Sequence, residues 1–154
     1  MKLFTEMATH CINNTISTNN FEFLPEVIRQ HTDWDYAYQQ KPTGCNLKPT
    51  FRNMPYRNSF VPEIDIVISN RDSKTELQMI GRPVKFVRVF MAFWFSFLLV
   101  MEAFIVILAI TSSLDSLFPL FIPLAMCIFG YLLCKLATKA TFNSVVKAIK
   151  KEFY

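Results

Sequence analysis

A lone carboxylate inside a long apolar segment is the residue whose type and position most strongly suggest chemistry. Glu102 lies near the middle of 89–111, VFMAFWFSFLLVMEAFIVILAIT, and is the only charged residue in it. Inserting a carboxylate at the centre of a membrane-spanning helix costs about 2.5–3.5 kcal/mol, and desolvation favours the neutral form. We expect a protonated Glu102 that joins helices, by hydrogen bonding to Tyr131 or to Glu102 of a second copy. The alternatives are a role in ion or proton passage and an exposed position against lipid.

The segment 56–60, YRNSF, supplies the second group of candidate residues. Arg57 offers a planar set of donors suited to a carboxylate or a phosphate, and Asn58 favours a tight turn. Arg57 therefore either braces this turn against an acidic residue of the following strand or contacts an anion, a lipid headgroup or a partner. In the second case, Tyr56 and Asn58 are the neighbouring contact residues.

No sequence signature of a known catalytic site is present. The chain has no GxSxG, HExxH, P-loop or GxGxxG pattern. His10 and His31 are isolated, and the four cysteines form no CxxC pair, which argues against a zinc module and a disulfide scaffold. The net charge of +4 is modest and suggests no nucleic-acid partner. We predict a protein that is not an enzyme and has no cofactor or metal.

Two apolar segments in the second half of the chain predict a membrane hairpin. The segments 89–111 and 117–136 are each long enough to cross a bilayer, at about 34 and 30 Å for a rise of 1.5 Å per residue. Small polar residues separate them. A pair of core helices in a soluble protein is the alternative, but the rest of the chain is too small to cover two such helices.

The basic residues predict how the hairpin is oriented. Lysine and arginine stand before the first span and after the second, and the short loop between the spans has neither. By the positive-inside rule, both termini face the cytoplasm of a bacterial inner (plasma) membrane. The residues expected at the membrane surface are Arg82, Lys85, Arg88, Lys147, Lys150 and Lys151.

The segment 1–84 is predicted to be a small cytoplasmic α+β domain. Apolar spacing suggests short helices over 3–12 and over 20–29, with Asn20 as a cap and Pro25 in the first turn. Alternation of apolar and polar residues predicts an antiparallel sheet. Its expected strands are 34–38, 45–52, 61–69 and 75–84, with a turn at 41–44.

The segment 138–154 carries apolar residues at helical spacing opposite lysines, which predicts a basic amphipathic helix. This helix lies at the lipid headgroups or packs on the cytoplasmic domain, and the sequence favours neither. The predicted fold class is thus an α+β membrane protein. A β-rich cytoplasmic domain with short helices is followed by a two-helix transmembrane hairpin over 85–137 and the C-terminal amphipathic helix.

The stretch 55–62, PYRNSFVP, leads into the two strongest strands and the Phe- and Trp-rich span. In this layout it resembles a group of uncharacterised small bacterial two-span membrane proteins with a YRNSF-P segment. The resemblance covers residues 51–94, and earlier residues match loosely, with Gly44 displaced. The sheet portion is also similar in layout to bacterial pleckstrin-homology-like domains. The resemblance implies a membrane protein with a cytoplasmic β-rich domain and no transferable activity.

Three functions fit these observations. The first is a membrane-anchored binding or accessory module whose cytoplasmic domain engages a membrane or cytoplasmic protein, or a ligand. The second is a homo-oligomeric, membrane-active protein, a pore or a membrane-perturbing effector, with Glu102 in the membrane core. The third is an immunity protein that acts on another membrane protein. The lipid bilayer is a partner in all three.

Overall fold

The computed structural model describes residues 4–12, 21–50, 60–71, 74–111 and 118–153. Within them, five strands form an antiparallel sheet and three helices accompany it, two of them long and apolar. The elements are β1 (Glu6–Ile12), α1 (Leu24–His31), β2 (Tyr36–Lys41), β3 (Gly44–Pro49), β4 (Pro62–Arg71), β5 (Lys74–Pro83), α2 (Lys85–Thr111) and α3 (Phe118–Glu152). The α+β class is confirmed.

The sheet has the strand order β1-β5-β4-β3-β2, so β5 and β4 lie at its centre and β1 and β2 at its edges. β4 and β5 pair along their whole length, from Pro62 opposite Pro83 to Arg71 opposite Lys74. The strands predicted at 61–69 and 75–84 are therefore confirmed. β2 and β3 are also found, displaced by a few residues from their predicted positions.

The turn between β2 and β3 requires a glycine because two strands approach closely there. Lys41 pairs with Gly44 across the turn, as the sequence predicted. Gly44 has a φ of +155°, and a Cβ at this position would lie 2.0 Å from the carbonyl oxygen of Ile66. Any side chain would force β3 away from β4, which explains the glycine.

One face of the sheet carries the hydrophobic core. Ile64 and Ile66 of β4 are at most 2% exposed, and Asp65 between them points to the opposite, open face because successive strand residues alternate. Side chains from α1 and from the last part of α3 complete the core. The buried cluster comprises Phe21, Leu24, Ile28, Tyr36, Cys45, Leu47, Val61, Ile64, Ile66, Leu77, Met79, Phe142, Val145, Val146 and Ile149.

The closest packing between α3 and the sheet is at Gly81. A Cβ at Gly81 would lie 2.4 Å from Cδ2 of Phe142, well inside van der Waals contact. The Phe142 ring, 1% exposed, therefore occupies the space above β5 where a side chain would otherwise stand. This glycine sets how near the helix can lie to the strand.

The N-terminal segment is an edge strand, so the helix predicted over 3–12 is wrong. β1 pairs with β5 from Glu6 opposite Gly81 to Ile12 opposite Thr75. The apolar spacing fits a helix, but local spacing is a weak guide that tertiary pairing overrides. Pairing with β1 also satisfies backbone groups of β5 that an open edge would leave unpaired.

The second predicted helix is confirmed as α1, with Pro25 in its first turn. Its N-cap is Phe23 and not the predicted Asn20. Leu24, Val27 and Ile28 form its buried side. A proline is tolerated in a first turn because no intrahelical bond is lost there.

The predicted C-terminal helix is not a separate element. α3 continues without a break from Phe118 to Glu152, so the second apolar segment and the basic tail form one helix. The apolar face of the tail, which includes Val145 and Ile149, is buried in the sheet's core. Of the two alternatives for this face, packing on the domain is the one observed.

The chain divides into two compact units. The sheet unit comprises residues 1–84 and 137–154, and the hairpin unit comprises residues 85–136. In the hairpin unit, α2 and the first part of α3 are long and apolar enough to cross a membrane. Most of their large apolar side chains are exposed, among them Ile110 at 78% and Phe129 at 68%.

Candidate functional site

One side of α2, which we call the inner face, contains the carboxylate that the sequence singled out. Its members recur every three or four residues and are partly or fully buried, in contrast to exposed neighbours such as Leu99 and Val100. The inner face comprises Val87, Met91, Trp94, Leu98, Glu102 and Ile105. Glu102 is half-buried on it, one turn after Leu98, which is 4% exposed.

A contact between Trp94 and Gly130 sets which parts of the two hairpin helices lie side by side. A Cβ at Gly130 would lie 3.6 Å from Nε1 of Trp94. Eight residues of helix, about 12 Å, separate Trp94 from Glu102. Glu102 therefore lies about two turns further along α2 than this contact. Tyr131 is level with the Trp94 end of the hairpin.

The sequence analysis paired Glu102 with Tyr131, and this pairing stays a prediction. The sequence placed Glu102 level with residues 126 and 127, because it assumed two spans centred on one loop. The ammonium group of Lys135 lies over the ring of Tyr131, 5.7 Å from the centroid of that ring.

The Oε2 atom of Glu102 is buried and has no hydrogen-bond partner among the described residues. The hydroxyl groups of α2 differ, because they bond to the helix itself. Ser96 Oγ donates to the Ala92 carbonyl at 2.8 Å, and Thr111 Oγ1 donates to the Ile107 carbonyl at 2.9 Å. An unpaired buried polar group costs about 1–3 kcal/mol. Glu102 thus differs from Ser96 and Thr111 of the same helix.

A row of charged and polar side chains, which we call the polar row, crosses the open face of the sheet. It comprises Lys41, Asn46, Asp65 and Arg82, one from each of β2, β3, β4 and β5. Lys41 Nζ and Asn46 Nδ2 both donate to Oδ1 of Asp65, the latter at 2.7 Å. Arg82 Nη1 lies 3.7 Å from Oδ2 of Asp65. One carboxylate therefore links four strands.

The polar row changes the ionisation of its carboxylate. Partial burial would raise the pKa of Asp65, but the hydrogen bonds from Lys41 and Asn46, with the charges of Lys41 and Arg82, lower it overall. Lys41 and Arg82 share this carboxylate, and Glu63 stands opposite Arg82 in the pairing of β4 with β5. The side chains of Lys41 and Arg82 remain about half exposed. Asn46 is 1% exposed, and its Oδ1 atom has no hydrogen-bond partner among the residues that the structure describes.

Sequence reasoning missed the polar row because its members are far apart in the chain. The only signal available was the position of Asp65 on the polar side of a predicted strand. The partners of Asp65 depend on the register of three strand pairings. The candidates Tyr56, Arg57 and Asn58 lie outside the described residues.

The basic residues that the sequence assigned to the membrane surface have different surroundings. Arg82 takes part in the polar row, and Lys85 is exposed at the start of α2. Arg88 is half-buried, and no residue in the described part of the chain forms a hydrogen bond with its Nε atom. Lys147 and Lys151 are exposed on the tail of α3.

Lys150 is half-buried on the tail of α3, where its charge affects His10 of β1. Burial and the nearby Lys150 ammonium lower the pKa of His10. A lysine beside a histidine of the sheet helps to hold that histidine neutral. Lys150 thus acts electrostatically on the sheet unit itself.

The cysteines and histidines do not assemble into a metal site in the part of the chain that the structure describes, where no group of three or more His, Cys, Asp or Glu residues could hold an ion. Cys45 is buried in the core, and burial raises the pKa of its thiol to about 12. Cys11 is exposed on β1. At neutral pH, Cys45 is therefore a protonated packing residue.

Comparisons with protein-family models, with curated proteins and with solved structures find no match to this chain. The resemblance to small two-span membrane proteins stays a prediction.

Proposed function

We propose that this protein is a membrane-anchored, non-enzymatic binding or accessory module. The hairpin unit crosses a bacterial inner membrane twice, and the sheet unit and both termini lie in the cytoplasm. The sheet unit engages a protein or a small ligand through its open face.

The observation that carries this proposal is the exposed apolar surface of the hairpin unit. Side chains around both helices, such as Phe86 and Leu99 on α2 and Phe129 on α3, are 67–72% exposed. Water-soluble proteins rarely expose apolar patches of this extent. A bilayer is the solvent in which such a surface is stable, because every backbone group of a helix is bonded within the helix.

The charges at the ends of the hairpin support the orientation. Lys85 and Arg88 stand at the start of α2, and Lys135 and Lys139 follow the apolar part of α3. The connecting loop between the helices contains no lysine or arginine. This asymmetry favours a cytoplasmic position for the sheet unit.

The open face of the sheet supports a binding role for the sheet unit. Its polar row keeps two half-exposed cations around one carboxylate, and neighbouring side chains such as Lys48 and Gln78 are exposed. An acidic or polar partner surface is the chemistry that complements it. The homo-oligomeric alternative has one observation in its favour, the unpartnered Oε2 atom of Glu102.

Native mass spectrometry of the full-length protein in nanodiscs tests the proposal. We expect a membrane-embedded monomer that gains a defined mass after incubation with cytoplasmic extract, and that loses this mass in a K41A/R82A variant. A K147A/K151A variant, which removes two exposed lysines of α3, is the matched control and should keep it. A discrete homo-oligomer with no added mass would instead support a membrane assembly. A protein that remains in the aqueous fraction would refute both.

A further inference from the structure

Two cations near the start of α2 have no anionic partner in the part of the chain that the structure describes. Lys85 is exposed and Arg88 is half-buried, and neither forms an ion pair or a side-chain hydrogen bond there. The first turn of α2 contains no acidic residue, and Glu102 lies a further 14 residues beyond Arg88, or about 21 Å along the helix. The anion that neutralises these two charges must therefore come from outside the described chain.

Arg88 is the more informative of the two cations, because part of its guanidinium group is buried. Its Nε atom is shielded from solvent and has no hydrogen-bond partner among the described residues. A guanidinium group stays charged in proteins, so its burial is costly unless an anion and hydrogen bonds compensate it. In the sheet unit, Lys41 and Arg82 receive this compensation from Asp65. Arg88 has no such group within the described residues.

Lys85 and Arg88 lie on one side of α2, and their side chains lead toward its N-terminal end. Residues three apart are neighbours on a helix surface, and helical side chains lean toward the N-terminus. In the proposed orientation, this end of α2 lies at the cytoplasmic headgroups, where lipid phosphates lie and long basic side chains extend toward the water. A planar guanidinium binds a phosphate through two parallel hydrogen bonds, and Lys85 supplies a second positive charge.

The surface of α2 that follows Arg88 has room for an acyl chain. Ala92 and Ser96 come four and eight residues after Arg88, so they continue the same side of the helix. Both are small and exposed, and Phe93 and Phe95 stand on either side of them. Ser96 Oγ donates to the Ala92 carbonyl, so an acyl chain that covers this surface leaves no hydroxyl donor unpaired.

We propose that Lys85 and Arg88 bind the phosphate of one anionic phospholipid, whose acyl chain lies on Ala92 and Ser96. This inference rests on the proposed function, because it places the start of α2 at a membrane surface. Charge favours a lipid over a second copy of the chain, because the same face of a copy in the same orientation would bring like charges together. A zwitterionic lipid carries a cation beside its phosphate and therefore complements the site less well.

Native mass spectrometry of the full-length protein in detergent micelles, titrated with phosphatidylglycerol or phosphatidylethanolamine, tests the site. We expect one phosphatidylglycerol molecule to bind in preference to phosphatidylethanolamine. Its affinity should fall about fivefold in R88Q and about 25-fold in K85Q/R88Q, as for the loss of one and two basic residues at an anionic lipid surface. K135Q removes an exposed positive charge of α3 and is the matched control, which should keep the wild-type affinity.

Two further variants separate the parts of the site. R88K keeps the charge without the planar donors and should lose less affinity than R88Q. Ala92→Leu leaves the charge unchanged but fills the surface beneath Arg88, so it should also weaken the binding of phosphatidylglycerol. Circular dichroism should show the wild-type helix content in every variant.

Four results would overturn the site. They are equal affinities for the two lipids, equal losses for R88Q and K135Q, an unchanged affinity in Ala92→Leu, and displacement of the lipid by water-soluble glycerol phosphate. The last result would identify a free phosphate compound as the ligand. A protein that does not enter the membrane would instead overturn the proposed function.

Discussion

The two units of this protein differ in how they bury apolar side chains and in how they pair a carboxylate. The sheet unit buries its apolar core residues and surrounds the half-buried carboxylate of Asp65 with two hydrogen-bond donors and the guanidinium of Arg82. The hairpin unit exposes most of its large apolar residues, and Oε2 of Glu102 has no hydrogen-bond partner within the described residues. This contrast supports the proposal that water surrounds the sheet unit and that lipid surrounds the hairpin unit.

α3 contributes residues to both units, which makes it the most informative element. Its first part exposes residues such as Phe129, and its last part buries Phe142. The chain also supplies one tryptophan for each unit, Trp34 packed against the sheet's core and Trp94 in the hairpin. The fluorescence of each tryptophan reports the unfolding of its own unit when the other tryptophan is replaced by phenylalanine.

The largest effect should come from truncating the phenylalanine of α3 that packs on the sheet. Phe142→Ala should destabilise the sheet unit by about 3–5 kcal/mol, because it opens a cavity above β5. Phe129→Ala, on the same helix but 68% exposed, should leave that stability unchanged. Urea unfolding of the nanodisc-embedded protein, followed by Trp34 fluorescence, measures both. Similar losses for the two variants would contradict the division of α3 between the units.

Replacing one glycine in each unit by alanine should give the next largest difference in stability. Gly81→Ala places a methyl group 2.4 Å from the Phe142 ring and should cost about 1–3 kcal/mol through overpacking. Gly130→Ala meets only Trp94 Nε1 at 3.6 Å, an ordinary contact, and should be neutral or slightly stabilising. The fluorescence of Trp34 measures the unfolding of the first variant, and the fluorescence of Trp94 measures that of the second. If Gly81→Ala were neutral, the close packing of α3 on β5 would be wrong.

The polar row should give a smaller, pH-dependent effect. The pKa of Asp65 is lowered in the folded protein, so its stabilisation is present above the unfolded-state pKa of about 3.9 and is lost as the pH falls through the lower folded-state pKa. Asp65→Asn should cost about 0.5–1 kcal/mol at neutral pH and remove this part of the acid sensitivity. Asp33→Asn, at an exposed position, is the control. If Asp65→Asn left the dependence of the unfolding free energy on acidic pH unchanged, the polar row would make no net contribution to stability.

Local patterns predicted the elements that interact mainly with their neighbours in sequence. The alternation of Ile64, Ile66 and Ile68 was sufficient to predict β4 and its buried face, and Pro25 correctly marked the first turn of α1. The apolar spacing of 3–12 was misleading, because the pairing of β1 with β5 is a long-range interaction that no local window contains.

The candidate sites were harder to predict for the same reason. The composition of α2 identified Glu102, but it could not show which residues of α3 lie beside it. The polar row joins residues that are up to 41 positions apart, Lys41 and Arg82, through three strand registers. Neither arrangement has a sequence signature.

The central claim is that the hairpin unit crosses a membrane with both of its ends on the cytoplasmic side. Labelling of single cysteines with a membrane-impermeant maleimide tests it most directly. One variant keeps the exposed Cys11 as its only cysteine, and the other carries Ser113→Cys, in the loop between the spans, in a cysteine-free background. We predict that spheroplasts expose position 113 but not Cys11, and that inverted vesicles expose Cys11 but not position 113. Labelling of both positions from the same side would contradict the account.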